Sequence, residues 1–138
     1  MEFLKDKHWV VVDANVENEL KDFAGEDKHS FRQEYAVFED GINALIRKGY
    51  ELLGLMSFFT TGKDETRAWT IKIGSTAPVA GAAIHTDFKD KFIRAEVINW
   101  AKLIEAGSWG KARELGLIRT EGKEYVVQDG DTIEFLHS

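Results

Sequence analysis

LMSFFTTGKDETRAWTIKIG, residues 55–74, decides the fold because the hydrophobic pattern there changes from a helical period to an extended one. The start of this stretch predicts a strand that ends at Gly62. From Thr66 onwards apolar and polar side chains alternate, which is typical of a strand with one buried face. The side chains predicted to share that face are Trp69, Ile71 and Ile73. The stretch therefore predicts two consecutive strands.

The sequence that follows continues with one helix and further strands. Pro78 suits the first turn of a short helix that extends to Ile84. Residues 92–100, FIRAEVINW, alternate again, with one face predicted to hold Ile93, Ala95 and Val97. The remaining predicted elements are helices over 100–106 and 109–115, a strand over KEYVVQ at 123–128, a turn at 129–131 and a last strand over 132–136. This order predicts an α+β fold with one helix on a mixed sheet, as in a β-grasp, or ubiquitin-like, domain.

The sequence before residue 54 predicts a strand followed by helices. Residues 9–12 form a continuous apolar run, the mark of a strand covered on both faces, and Asn15 is a suitable N-cap for the helix that follows. The predicted apolar face of that helix holds Val16, Leu20 and Phe23. Two more helices are predicted, one over 27–38 with Phe31, Tyr35 and Phe38 on one side, and one over 42–53. The strand has no predicted parallel neighbour, so we expect the rest of its sheet to lie upstream.

Composition and charge restrict the classes of function. The 138 residues carry a net charge of −6, and the whole acidic excess lies in residues 1–65, which hold 8 basic and 14 acidic side chains. Phosphate neutralisation drives nucleic-acid affinity, so the chain as a whole is not typical of a free-standing nucleic-acid binder. Cysteine is absent, which excludes disulfides and thiolate chemistry. No run is long and apolar enough for a membrane span or a signal peptide, so we expect a cytoplasmic monomer with no membrane partner.

The histidine in AIHTDF, residues 83–88, is the first candidate for chemistry. His85 and Asp87 have no third partner with the context of a nucleophile or the spacing of a metal ligand. We therefore interpret His85 as a structural residue that ends a helix and Asp87 as a turn or cap residue. A small hydrolase that uses His85 remains the alternative. Neither a catalytic residue nor a metal ligand is assigned.

Basic residues beside His85 form the second candidate site. Lys89, Lys91 and Arg94 could contact phosphates along one edge, and the alternative is an ordinary solvated face. Trp69 and Phe88 could stack on nucleic-acid bases if they were exposed, although core packing is the expected role. These observations make His85, Lys89, Lys91 and Arg94 the candidate residues for binding RNA or another partner.

Residues 58–98 and 121–135 carry a resemblance to a known family. The motifs that carry it are Arg67-Ala68-Trp69-Thr70, Thr76-Ala77-Pro78, Ile84-His85-Thr86-Asp87-Phe88, Phe92-Ile93-Arg94-Ala95-Glu96 and Gln128-Asp129-Gly130-Asp131. With these motifs the chain resembles the C-terminal region of the YchF/Obg-like ATPase family. The resemblance implies a β-grasp TGS domain over residues 54–138, a helical connector over 26–53, and the last strand and helix of a nucleotide-binding domain over 1–25.

The resemblance also implies a function. Members of this family use ATP or GTP with Mg²⁺, and TGS domains are associated with ribosome, RNA or regulatory contacts. The P-loop spacing fails in this chain, because Ser57 stands where a glycine is required before Gly62-Lys63 and Asp64 stands where Ser or Thr is required. We therefore expect a binding or regulatory module without a cofactor of its own. A domain that senses a small nucleotide remains a further alternative.

Overall fold

The computed structural model describes residues 9–34, 41–62 and 64–138, and the chain forms two compact units, residues 1–53 and 54–138. The described helices of the first unit are α1 (Ala14–Glu19), a 3-10 turn (Leu20–Asp22), α2 (Gly25–Glu34) and α3 (Gly41–Leu53). None of the helices that the structure describes has both the length and the apolar composition needed to cross a membrane.

The start of the first unit differs from the prediction. Residues 9–12, predicted as a buried strand, are in neither a strand nor a helix, and Val11 is 73% exposed. A strand needs a neighbour for its backbone hydrogen bonds, and the described part of this unit contains only helices. The N-cap of α1 is Asp13 and not Asn15, because the carboxylate of Asp13 accepts the N–H groups of Asn15 and Val16 at 3.0 and 3.1 Å.

The apolar face predicted for α1 is buried in part. Val16 and Leu20 are buried as predicted, whereas Phe23 follows the 3-10 turn and is 42% exposed, with its ring 5.2 Å from that of Phe31.

One carboxylate, that of Glu17, contacts all three described α-helices of the first unit. It receives two hydrogen bonds from the Arg32 guanidinium, both at 2.9 Å. It also accepts the N–H of residue 41 at 2.9 Å. One acid thus connects α1, α2 and α3. Two side chains of the predicted apolar face, at 35 and 38, lie outside the described residues.

Helix α3 buries little of its apolar surface. Ala44 is buried, but the side chains of Ile42, Leu45, Ile46 and Leu53 are all more than half exposed. These four positions follow a helical period, so they form one continuous apolar stripe. Such a stripe on a described helix marks a surface suited to packing against another element.

The second unit is an α+β domain with a mixed sheet. Its elements are β1 (Leu55–Thr61), β2 (Thr66–Lys72), α4 (Ala77–Ala82), α5 (Thr86–Asp90), β3 (Phe92–Asn99), α6 (Trp100–Ala106), α7 (Trp109–Glu114), β4 (Arg119–Glu121) and β5 (Asp131–His137). The described strands form a five-stranded sheet in the order β2-β1-β5-β3-β4. β1 and β5 are parallel, and the other neighbours are antiparallel.

The core lies between the sheet and α4. Phe58, Val97 and Ile133 point from three neighbouring strands into this layer and are at most 2% exposed. Pro78 lies in the first turn of α4, as predicted, where its missing N–H costs no hydrogen bond.

Helices α6 and α7 lie on the opposite face. Arg113 of α7 forms an ion pair with Glu96, whose side chain points away from the core. Leu103 of α6 lines a pocket with Phe59 and Thr132 of the same face.

Three details of the predicted strands are wrong. Residues 123–128 form no strand: Tyr125 and Val127 bond instead to the loop before α4, through Ala77 N–H to Tyr125 C=O at 2.8 Å and Val127 N–H to Ser75 C=O at 3.0 Å. A three-residue strand precedes them at Arg119–Glu121. Ile73 lies beyond the end of β2 and is 64% exposed.

The third detail is the face on which Ile93 lies. The register of β3 against β5 shifts between Phe92 and Arg94, which is a β-bulge. The extra residue turns Ile93 outwards, so it is 54% exposed while Phe92 is 5% exposed. Ala95 and Val97, which were predicted to share a face, do share one, and both side chains are fully buried.

Candidate partner-binding surface

His85, predicted to end a helix, instead precedes helix α5 as its N-cap, and the C-cap of α4 is Ala83. The ring Nδ1 accepts the N–H of Asp87 at 3.2 Å, and the His85 N–H donates to the Gly81 carbonyl at 3.2 Å at the end of α4. A Cβ on Gly81 would lie 2.9 Å from the Cβ of Phe88, so the glycine allows α4 and α5 to approach closely. The ring of His85 is exposed, and its geometry is that of a cap.

Asp87 lies in the first turn of α5 and not at the cap position. Its carboxylate forms an ion pair with Lys91 at 3.2 Å. The hydrogen bond from Lys91 and the charge of that ammonium lower the pKa of Asp87 below its ordinary value. The same ion pair neutralises part of the positive charge that the sequence assigns to this edge.

The structure brings three of the four candidate residues together. His85, Lys89 and Lys91 all lie within α5 or at its ends, and all three are exposed. Arg94 is also exposed, but it pairs in register with Leu136 and lies on the sheet face opposite to Ala95. The core side of the sheet carries α5, so the guanidinium of Arg94 points to the other side of the domain.

Both aromatic candidates for base stacking contact other side chains of the second unit. Trp69 packs against the core, donates its indole N–H to Thr60 Oγ1 at 2.9 Å and has the Arg67 guanidinium 4.1 Å from its ring centre. Phe88 is edge-on to the ring of His137 at 4.7 Å. Both rings thus have packing contacts within the fold, which is the role that the sequence predicts for them.

The Asp-Gly-Asp turn holds β5 against β1. The N–H of Ser57 donates to Asp129 Oδ1 at 3.0 Å, and its carbonyl accepts the N–H of Gly130 at 3.0 Å. Gly130 has a φ of +80°, and a Cβ there would lie 2.8 Å from the Trp100 ring. The sequence indicates this turn but not its contact with Trp100, which comes from the start of α6.

A buried hydrogen-bond network beside this turn was missed by the sequence reasoning. Asp131, 3% exposed, accepts the hydroxyl of Tyr125 at 2.6 Å and the N–H of Gln128 at 2.8 Å. Arg119 donates to the Tyr125 hydroxyl at 2.7 Å. Burial, together with the hydrogen bond to Asp131, raises the pKa of Tyr125 well above its ordinary value. An acid at the first position of an apolar strand is the one sequence signal that could have indicated it.

The described side chains also bear on metal binding and on the pairing of buried polar atoms. Within residues 9–34, 41–62 and 64–138, no three His, Asp or Glu side chains are grouped as metal ligands would be. Every buried side-chain nitrogen or oxygen in the same ranges has a hydrogen-bond partner. The polar groups of the described interior therefore stabilise the fold.

Comparison with known proteins identifies the family of the second unit. Residues 55–138 match the family model YchF-GTPase_C, described as a protein of unknown function (DUF933). The chain is 47% identical over 126 residues to the ribosome-binding ATPase YchF of Bacillus subtilis, with 91% of this chain and 34% of that protein covered. The protein of the same name from Haemophilus influenzae is 48% identical over 126 residues, with 91% and 35% covered. The chain thus spans about a third of the length of the curated relatives it matches.

Solved structures give the same result. The Schizosaccharomyces pombe YchF GTPase superimposes with a TM-score of 0.73 at 33% identity, over 86% of this chain and 31% of that one. A GTP-binding protein from Pyrococcus horikoshii superimposes with a TM-score of 0.57 at 18% identity, over 90% of this chain and 34% of that one, which is a likeness of fold alone. Because the family model covers residues 55–138, more than half of the chain, the chain belongs to the YchF GTPase C-terminal domain family.

Proposed function

We propose that residues 54–138 are a β-grasp TGS domain that serves as the binding and regulatory module of a YchF-like, nucleotide-hydrolysing protein. The strand order β2-β1-β5-β3-β4, with a parallel central pair and α4 across one face, supports the β-grasp assignment. The names of the matched relatives, ribosome-binding ATPases, support docking on the ribosome, on RNA or on protein partners of translation. The module acts in the cytoplasm as a monomer.

The first unit has a different proposed origin. We infer that residues 1–25 are the end of a nucleotide-binding domain and that residues 26–53 connect it to the TGS domain. The exposed apolar stripe of α3 supports this assignment, since a connector between domains has a surface to cover. In the whole protein the nucleotide would be ATP or GTP with Mg²⁺. This chain itself is expected to release no phosphate from ATP and Mg²⁺, because its sequence has no P-loop to hold a triphosphate.

The docking surface proposed here is the α5 edge, defined as His85, Lys89 and Lys91, with Arg94 as a contact on the neighbouring sheet face. The observation that carries it is the exposure of all four side chains. Lys91 forms an ion pair with Asp87. Within the described residues, Lys89 is therefore the lysine of the α5 edge that carries a positive charge without an ion pair. Contacts of this kind weaken as salt rises, because released counterions drive the binding.

Co-sedimentation with ribosomes at low and high salt tests the α5 edge. The double variant Lys89→Glu/Lys91→Glu should reduce the bound fraction strongly at low salt. The control Lys102→Glu/Lys123→Glu makes the same change of charge at exposed positions outside α5 and should bind as the parent chain does. Equal loss in the two double variants would assign the effect to net charge and would refute docking through this edge.

A further inference from the structure

β1 and β5 pair at one position, and the described pairing does not continue towards the end of β1. Within the described residues, Phe59 and Thr132 form the only pair that joins these two strands. Successive residues of a strand turn their peptide groups to alternate sides. Gly62 turns its N–H to the β2 side, where it bonds to the Glu65 carbonyl at 2.9 Å. The peptide groups of Thr61 therefore face β5, one step beyond the last pair.

A cleft of about 700 Å³ lies where the two strands no longer pair. One wall is the end of β1 with Thr61, and the other is β5 with Glu134 and Phe135. The rings of Phe88 and Trp109 contribute to the lining from α5 and α7. The N–H and C=O of residue 59 face β5, and in a parallel pair they bond to the residues before and after its partner, which are residues 131 and 133. Because every second residue of β5 faces β1, the N–H and C=O of Phe135 also face the cleft. Both walls thus present strand edges.

Among the described residues that line the cleft, Glu134 is the one charged side chain. Glu134 of β5 and Glu96 of β3 are directly opposed across the sheet, an arrangement that repels. Arg113 forms an ion pair with Glu96. Glu134 is exposed and forms no ion pair with any residue of the described ranges. A cation beside Glu134 would relieve the repulsion, and the Trp109 ring in the same lining could stabilise it further through its π face.

We propose that this cleft binds an extended segment of a basic protein. The segment adds as a strand to the facing edges of β1 and β5, and one lysine or arginine of the segment reaches Glu134. Strand addition supplies affinity through the main chain, and the acidic, aromatic lining selects the side chain. RNA does not fit, because its phosphates would meet Glu134 and no described residue of the lining is a lysine or arginine that would balance them. The cleft is distinct from the α5 edge of the proposed function and does not depend on it.

Binding of a labelled peptide tests the choice of partner. The probe is a short fluorescein-labelled peptide in which lysine alternates with valine, titrated with the full chain and followed by fluorescence anisotropy. We expect saturable binding, and Glu134→Gln should weaken it about tenfold, the effect of losing one hydrogen bond to a charged group. Removal of a repelling charge should leave the melting temperature of this variant unchanged or raised. Glu124→Gln, at an exposed turn outside the cleft, is the matched control and should bind normally.

The outcomes of this titration are decisive. Absence of saturable binding, full affinity in Glu134→Gln, or an equal loss in Glu124→Gln would each overturn the proposal. A matching peptide in which glutamate replaces lysine should not bind, and equal binding of that peptide would overturn the assigned charge.

Hydrogen exchange tests the added strand independently of charge. With saturating lysine–valine peptide, the amides of Thr61 and Phe135 should exchange at least about fivefold more slowly, because each gains a hydrogen bond to the peptide. The amide of Thr70, on β2 and outside the cleft lining, should keep its rate and serves as the control. Unchanged exchange at both cleft amides would refute strand addition.

Discussion

Gly130 is the residue through which the turn before β5 reaches β1. Its N–H bonds to the Ser57 carbonyl, its φ is +80°, and Trp100 fills the space where a side chain would begin. A side chain at this position therefore meets two obstacles, an unfavourable backbone conformation and a collision with an indole ring.

Gly130→Ala should lower the free energy of unfolding by about 2 kcal/mol, the sum of left-handed strain and displacement of the ring. Urea unfolding followed by tryptophan fluorescence measures the change. Gly122→Ala is the matched control, since a Cβ there meets no atom within 4 Å and the backbone is not in the left-handed region. An effect of equal size at Gly122 would contradict the explanation.

Tyr125 gives the fold a pH dependence at the alkaline end. Its pKa is raised by burial and by the hydrogen bond to Asp131, so the folded chain holds the phenolic proton more tightly than the unfolded chain does. The stability that comes from this difference is complete below about pH 10, the ordinary pKa of tyrosine, and is lost as the pH rises through the folded value.

The free energy of unfolding should therefore fall more steeply above about pH 10 in the parent chain than in Tyr125→Phe. At neutral pH the variant should be less stable by about 1 kcal/mol, because Asp131 loses a hydroxyl donor. Urea unfolding at a series of pH values gives both results. Parallel slopes for the two chains would show that the tyrosine does not titrate as described.

At the scale of elements, the bulge in β3 decides which side chains enter the core. The alternation of FIRAEVINW predicts that Ile93 shares a face with Ala95 and Val97, and the structure buries Phe92 with them in place of Ile93. A bulge inserts one residue without changing the composition of the strand, so a hydrophobic pattern of period two gives no sign of it. The register of Ala95 and Val97 beyond the bulge is unaffected, which explains why those two positions were predicted correctly.

Two substitutions distinguish the bulge from the regular strand. Phe92→Ala should lower the free energy of unfolding by about 3 kcal/mol, because it removes a buried ring. Ile93→Ala should change it by less than about 0.5 kcal/mol, since its side chain already contacts water. Chemical denaturation of both variants checks this order. A larger loss of unfolding free energy in Ile93→Ala than in Phe92→Ala would contradict the bulge and favour a regular strand.

A hydrophobic pattern does not show which backbone groups are available for pairing, and this explains the two strands that the sequence predicted wrongly. Residues 123–128 are apolar enough for a strand, but the backbone groups of Tyr125 and Val127 find partners in the loop before α4. Residues 9–12 have the composition of a buried strand, but the described part of their unit contains no strand to pair with. Composition indicates that a segment can be extended, and only the surrounding chain decides whether it joins a sheet.

At the scale of the whole molecule, the sequence predicts the α+β class and the order of most elements of the second unit. Periodicity changes at residue 54, Pro78 begins a helix, and the Asp-Gly-Asp turn precedes the last strand, so local signals suffice there. The cleft could not be predicted, because it depends on where β1 and β5 stop pairing. The separation of Arg94 from Lys89 and Lys91 likewise follows from the sheet face, which neighbouring sequence positions do not reveal.

The second unit should fold without the first. A fragment of residues 54–138 contains all five described strands and the hydrophobic cluster between the sheet and α4. We expect it to show cooperative urea unfolding and a near-ultraviolet circular dichroism signal of ordered aromatic rings. A gradual, non-cooperative transition would show that residues before 54 are needed to complete the core.

The hydrogen bond between Ser57 and Asp129 joins positions 72 residues apart in the chain. Closing so long a loop costs entropy before any contact repays it, whereas the β1–β2 hairpin closes over a few residues. β5 leaves the ribosome after the other four described strands, and its position between β1 and β3 is unfilled until then. During that part of translation the edge of β1 is exposed, and chaperones have access to it.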